Sequence, residues 1–151
     1  MLLYLAAAGI GTLGIVDDDK VDLSNLQRQV LFDTENIGDR KTEGAKQAIK
    51  AINPDIAVNS ITTRITKRNA FEIMSQYDII ADGSDNFATR FLINDASYFL
   101  KKILVSGAIL RFDGQISTFK PNIKNENGDF SPCYRCIFRE PPPPARCLHV
   151  Q

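Results

Sequence analysis

A chain of 151 residues, 44% of them hydrophobic, is long enough to enclose the core of one domain. With 18 Lys+Arg against 18 Asp+Glu there is no net charge, and so no electrostatic case for a nucleic-acid partner or an anionic membrane surface. No apolar run approaches the roughly 20 residues that a bilayer span needs, and residues 1–9 lack the basic start of a secretory signal. Three cysteines, two of them spaced Cys-x-x-Cys, suit a reducing compartment, so the cytoplasm is expected.

Leu2–Ala8 reads as a short apolar helix stopped by Gly9 and Gly11. Thr12–Val16, apolar between glycine and aspartate, is expected as a buried strand. Asp17–Thr34 is too polar for a core and reads as loop with one or two helical turns. The spacing of Ala45, Ala48, Ile49 and Ile52 predicts a helix over Ile37–Ile52, ended by "NPD" at 53–55. Ala57–Thr62 reads as a strand, and Ala70–Ser75 as a short helix. "DIIAD" at 78–82 suits a strand covered on both faces. The stripe Phe87, Phe91, Leu92, Ala96 and Phe99 predicts a helix over Asn86–Leu100. Ile103–Ser106 is a further buried strand, and the alternation in Gly114–Phe119 predicts an antiparallel arm. From Pro121 the chain turns polar and proline-rich, which divides it into a core over 1–120 and a Cys-x-x-Cys, Pro-rich segment over 121–151.

Helices alternating with short buried strands predict an α/β fold, Rossmann-like and doubly wound around a mostly parallel sheet. Ligands of such sheets gather at the carboxyl ends of strands. The acid-rich strand ends, Asp17–Asp19 and Asp82–Asp85, are expected on that rim. Asp17 is placed to accept hydrogen bonds from a ribose diol, or simply to close a polar turn. Asn25, Arg28 and Gln29 crowd amide and guanidinium groups into the same loop. Gly83 permits close approach of backbone to a ligand. Asp85 is either the cap of the following helix or a Mg²⁺ ligand shared with substrate phosphates. Lys41 opens a helix, where its charge opposes the macrodipole; an anionic partner would reverse that, and a solvated side chain is the alternative.

Cys133 and Cys136 in "PCYRC" have the spacing of half a structural zinc site, or are two reduced thiols in a loop. Cys147 and His149 could complete a ligand set, although Cys-x-His is not a usual spacing. His149 is the only histidine and lies in the tail, which argues against a hydrolase built on it.

Five stretches, "YLAAAGIGTLGIVDDDKVDLSNLQRQ", "IGDRKTEGAKQAIKAINPD", "DGSDNFATRFLINDA", "VSGAILRFDGQISTF" and "PCYRCIFREPPPP", together resemble the adenylating enzymes of the ThiF/MoeB/HesA family. These are relatives of the ubiquitin-activating enzymes, and the likeness is greatest to the bacterial MoeB and ThiF branch. The resemblance implies an ATP-dependent adenylyltransferase that activates the C-terminal glycine of a ubiquitin-like sulfur-carrier protein, as in molybdopterin or thiamine synthesis. It implies a homodimer, Mg²⁺ and Zn²⁺. By position, Asp17 matches the ribose-binding acid and Asp19 the second acid of that motif. Asn25, Arg28 and Gln29 fall in the phosphate-site stretch, and Lys41 matches the phosphate lysine. Asp85 matches the magnesium-linked aspartate, with Asn86 and Arg90 beside it. Cys133 and Cys136 match the first half of a four-cysteine zinc site, and Cys147 falls where some members place a transfer cysteine.

Against the family pattern, the first strand, its glycine-rich loop and the second Cys-x-x-Cys are expected to be absent from these 151 residues. The loop's backbone N–H donors would then be missing from the triphosphate site. Two other readings compete: a non-catalytic remnant that only binds a carrier or a homologous subunit, and an NAD-dependent oxidoreductase. The second leaves "SNLQRQ", "DGSDN" and the cysteine pair without a role. The 151-residue protein alone is expected to show no carrier-dependent ATP–pyrophosphate exchange; robust exchange in a radiolabelled assay would overturn that expectation.

Overall fold

The computed structural model describes residues 1–110, 113–124 and 126–140. It comprises two compact units that divide between Ile65 and Thr66.

The first unit runs α1 (Leu2–Ala7), β1 (Thr12–Val16), α2 (Lys41–Ile52) and β2 (Ala57–Ile61). Gly9 stops α1 with φ of 77°, a conformation that costs glycine nothing. The Ile10 N–H then reaches Leu5 O and the Gly9 N–H reaches Ala6 O, the paired bonds of a Schellman cap. β1 and β2 pair in parallel from Thr12↔Ala57 to Val16↔Ile61. Parallel neighbours need a crossover, and α2 provides it. Ala6, Leu13, Ile49 and Ile56 form the buried core, with Leu2, Leu5, Ile15 and Val58 packed around it.

The segment between β1 and α2 contains two short 3₁₀ turns, Leu23–Asn25 and Thr34–Asn36, as its polarity predicts. A capping box between Asp33 and Asn36 closes the second. The helix expected from Ile37 begins only at Lys41. Gly38 sits at φ 93° and Arg40 is extended, so residues 37–40 turn into the helix rather than join it. Gly44, buried on α2, lies under the ring of Phe32: a Cβ there would stand 3.1 Å from Phe32 Cδ1.

The second unit runs α3 (Ala70–Ser75), β3 (Ile79–Asp82), α4 (Phe87–Phe99), β4 (Ile103–Leu110), β5 (Asp113–Phe119) and α5 (Tyr134–Ile137). β3 pairs with β4 in parallel, and β4 pairs with β5 antiparallel from Leu104↔Phe119 to Leu110↔Asp113. The antiparallel arm is therefore present, and β4 extends four residues past the expected Ser106. The core gathers Ala70, Met74, Ile80, Phe91, Ala96, Leu104, Phe119 and Tyr134.

The expected sheet thus appears as two: parallel β1–β2, and mixed β3–β4–β5. Among the described residues no strand pairs with the second edge of β1 or of β3. The expected stripe of α4 is also revised. Phe91 and Ala96 are buried, but so are the polar Asn94 and Ser97, while Phe99 is 69% exposed. No helix among the described residues is long and apolar enough to cross a membrane.

The contact between Phe32 and Gly44 fastens the long segment onto α2. Gly44→Leu is expected to lower stability by about 1–3 kcal/mol through overpacking, read from the urea midpoint. In a Phe32→Ala background the same substitution is expected to cost much less.

Candidate functional site

In the first unit, the chain leaves β1 through three successive acids. Asp17 Oδ1 accepts the Asp19 N–H at 2.8 Å and so folds the turn. The carboxylates of Asp17, Asp18 and Asp19 come within 4.8 Å of one another. Lys41 answers this charge: its ammonium lies 2.9 Å from Asp19 Oδ2, and its backbone N–H donates to Asp19 O at 3.1 Å. The lysine side chain is only 13% exposed and that of Asp19 is 68% exposed. The anion that the start of α2 calls for is therefore Asp19, which offsets the opposition between Lys41 and the helix dipole.

Further along this segment, Asp22 caps the first 3₁₀ turn, and its hydrogen bonds from Ser24 hold its carboxyl below the usual carboxylate range. Arg28 is exposed and donates to Ser24 O at 3.0 Å, leaving the rest of its guanidinium fork toward solvent. Asn25 Nδ2 stands 3.5 Å from Ser24 Oγ. Gln29 Oε1 is buried without a hydrogen-bond partner among the described residues. The first unit thus brings Asp17, Asp19 and Lys41 together directly, and holds Asn25, Arg28 and Gln29 on the adjoining turn.

In the second unit, the end of β3 leads into "DGSDN". Asp82 is buried, and its Oδ1 accepts the Ser84 N–H at 2.9 Å. Asn86, not Asp85, is the N-cap of α4, accepting the Thr89 N–H at 2.9 Å. This settles one alternative left open by the sequence: capping occupies the amide and leaves the neighbouring carboxylate out of the cap. Asp85 is exposed, with a contact from Asn86 Nδ2 at 3.4 Å. Arg90, one turn into α4, closes the loop by donating from Nε and Nη2 to Ser84 O at 3.0 and 2.8 Å. Its guanidinium also lies 5.3 Å from the centre of the Phe87 ring. An open groove of about 570 Å³ runs past Gly83, Asp85, Arg90 and Gly107. The absence of side chains at its glycines leaves backbone accessible there.

Cys133 and Cys136 bracket the start of α5, with sulfurs 3.7 Å apart. Two thiolates on a tetrahedral zinc, each about 2.3 Å from the metal, stand about 3.8 Å apart. Disulfide sulfurs would be about 2 Å apart. The pair is reduced, and its spacing fits two of four zinc ligands. Cys147 and His149 lie outside the described residues.

Sequence reading missed what holds this knuckle. Asn94 Oδ1 accepts the Tyr134 N–H at 2.9 Å, and Asp95 takes Arg135 in a bidentate pair at 2.6 and 2.7 Å. That pair lowers the pKa of Asp95 and raises that of Arg135. A polar residue three positions after Phe91, on the buried face of a helix, was the available clue.

The ThiF family model matches residues 1–150. The chain belongs to the ThiF family. It is 48% identical over 145 residues to the sulfur carrier protein adenylyltransferase of Thermus thermophilus, covering 95% of this chain and 52% of that protein. It is 50% identical over 143 residues to the adenylyltransferase and sulfurtransferase UBA4 of Debaryomyces hansenii, covering 95% of this chain and 31% of that protein. Among solved structures, E. coli MccB with MccA-N7isoASN shares the fold at a TM-score of 0.78 and 24% identity, covering 89% of this chain and 38% of that one. The ThiF-family chain therefore spans about half the length of the first relative and about a third of the second.

Asn86 has a structural task of its own, the capping of α4. Asn86→Ala is expected to destabilise the protein by about 1 kcal/mol, whereas Asn86→Ser or Asn86→Asp should retain most of the cap. Thermal melts of the three variants measure this.

Proposed function

We propose that this ThiF-family chain is the nucleotide- and carrier-facing part of an ATP-dependent adenylyltransferase. Its second substrate is the C-terminal glycine carboxylate of a ubiquitin-like sulfur-carrier protein, in cytoplasmic sulfur transfer of the molybdopterin or thiamine kind. In that reaction a carboxylate oxygen of the carrier attacks the α-phosphorus of ATP. An acyl–O–P bond forms, the α–β bridging P–O bond breaks, and pyrophosphate leaves with its electrons. The nucleophile is already ionised at neutral pH, so no general base is required, and the lack of a histidine in the core is no obstacle. The barrier is repulsion between two anions, which preorganised cationic and hydrogen-bonding groups lower.

Asp17 is assigned to the ribose hydroxyls, with Asp19 as the acid that holds Lys41. Asn25, Arg28, Gln29 and Lys41 are assigned to the phosphates; the open face of the exposed Arg28 guanidinium fork supports an anionic ligand there. Asp85, with Asn86 and Arg90 beside it, is assigned to Mg²⁺, which would supply neutralisation of the triphosphate charge. Cys133 and Cys136 would hold Zn²⁺ as a structural ion. The homodimer expected for the family belongs to this reading as well.

The observation that carries the proposal is the division of labour in "DGSDN". Asn86 caps the helix and Arg90 closes the loop, so the carboxylate of Asp85 stands exposed beside the groove without a structural task.

A replacement chimera tests this, with these residues exchanged for the matching segment of the Thermus thermophilus relative. The chimera is expected to catalyse carrier-dependent ATP–pyrophosphate exchange. Asp85→Ala within it is expected to lower the exchange rate by about 10²-fold or more, the scale for removing a charge-stabilising group. A folded chimera that binds the carrier yet gives no exchange would replace this reading with that of a binding module.

A further inference from the structure

The knuckle at Cys133 and Cys136 packs against side chains of α4 that carry no part of the proposed adenylation chemistry. One face of α4 meets every residue from Cys133 to Arg135. Phe91 packs edge-on against Tyr134, with ring centres 5.4 Å apart. Asp95 takes Arg135 in its bidentate pair, and that guanidinium also lies 4.5 Å from the centre of the Phe91 ring. Asn94, 3% exposed, lies between them at helical spacing from Phe91.

Both the oxygen and the nitrogen of the Asn94 amide are engaged. Its Oδ1 accepts the Tyr134 N–H at 2.9 Å, and its Nδ2 donates to Asp95 Oδ1 at 3.2 Å and to Cys133 Sγ at 4.0 Å. A backbone N–H can only donate, so the oxygen must face Tyr134 and the nitrogen must face the sulfur. The side chain cannot flip without breaking the bond to Tyr134 and burying an unmet donor.

We propose that Asn94 is a positioning residue for the Cys133–Cys136 pair as a soft-metal ligand. Its oxygen fixes the backbone of the knuckle, and its N–H donates to the sulfur of Cys133 when that sulfur is metal-bound. The inference rests on the assignment of the pair to a metal. A metal-bound thiolate is an anionic acceptor, so an N–H donor on it is favourable and a carboxylate in the same place is repulsive. Asn94→Asp therefore separates the two halves of the residue. It keeps an oxygen for the Tyr134 N–H and replaces the donor on sulfur with negative charge.

The test uses the reduced full chain in a Cys147→Ser background, so that the pair supplies the only thiols. Cadmium(II) alone is titrated and followed by sulfur-to-cadmium charge-transfer absorbance. The parent is expected to bind, and Cys133→Ser should abolish the band. Asn94→Asp is expected to weaken binding about 10–100-fold, the range for loss of an outer-shell partner. Asp95→Asn, which loosens the Arg135 clasp and leaves an amide facing the Asn94 N–H, should stay within about threefold on the same scale. Parent-like affinity in a folded Asn94→Asp variant overturns the role of Asn94 and leaves the metal assignment standing. No band in the parent overturns both.

A measurement on the parent covers the case in which Asn94→Asp does not fold. With an NMR-active cadmium isotope bound, one Asn94 side-chain amide proton is expected to show scalar coupling to the metal through sulfur. A well-resolved amide resonance without coupling overturns the proposal.

Discussion

In the second unit the oxygen of Asn94 accepts the Tyr134 backbone N–H inside a core made chiefly of aromatic and aliphatic side chains. An amide in that position is destabilising unless each of its bonds is made. Because they are made, the bond dictates much else. It seats Tyr134 where its ring meets Phe91, Phe119 and Phe138. It brings Arg135 over Asp95 and leaves both cysteines at the rim of the unit. It also fixes the face that α4 turns inward, and with it the direction in which Arg90, one turn earlier, reaches back to Ser84.

The first unit solves a different problem, that of holding a polar segment of more than twenty residues against a small core. It does so with few apolar contacts. Phe32 covers Gly44, Val21 is buried and exchanges backbone bonds with the Gly38–Asp39 turn, and Lys41 binds Asp19 through both backbone and side chain. Each anchor joins a point on the segment to α2 or its approach. Between them, Arg28 and the exposed Val30 lie on local turns. Residues that must meet a ligand can sit on such a segment without their own side chains being consumed in packing.

Much of this was legible in the sequence. Gly9 announced the end of α1, the alternation in 114–119 announced the antiparallel arm, and "DLSNLQRQ" with "DGSDN" announced the family. The misreadings share a cause. Periodicity registers apolar residues, so it carried α2 back to Ile37 across a glycine that needs positive φ, and it put Phe99 in the core. It took no account of Asn94, a polar residue three positions after Phe91 whose burial depends on a partner forty residues away, nor of the buried Ser97. Asp85 and Asn86 are equally good caps by type, and only backbone geometry chooses between them.

Among the described residues, no strand pairs with the second edge of β1 or of β3. Proteins usually blunt such edges with lysine, proline or a bulge, but "TLGIV" and "IIAD" contain none of the first two, and both pair in regular register with their single neighbours. Each presents a row of backbone donors and acceptors in the geometry a further strand needs. Strand addition is bimolecular when the added strand comes from another molecule, so it grows with concentration while folding does not.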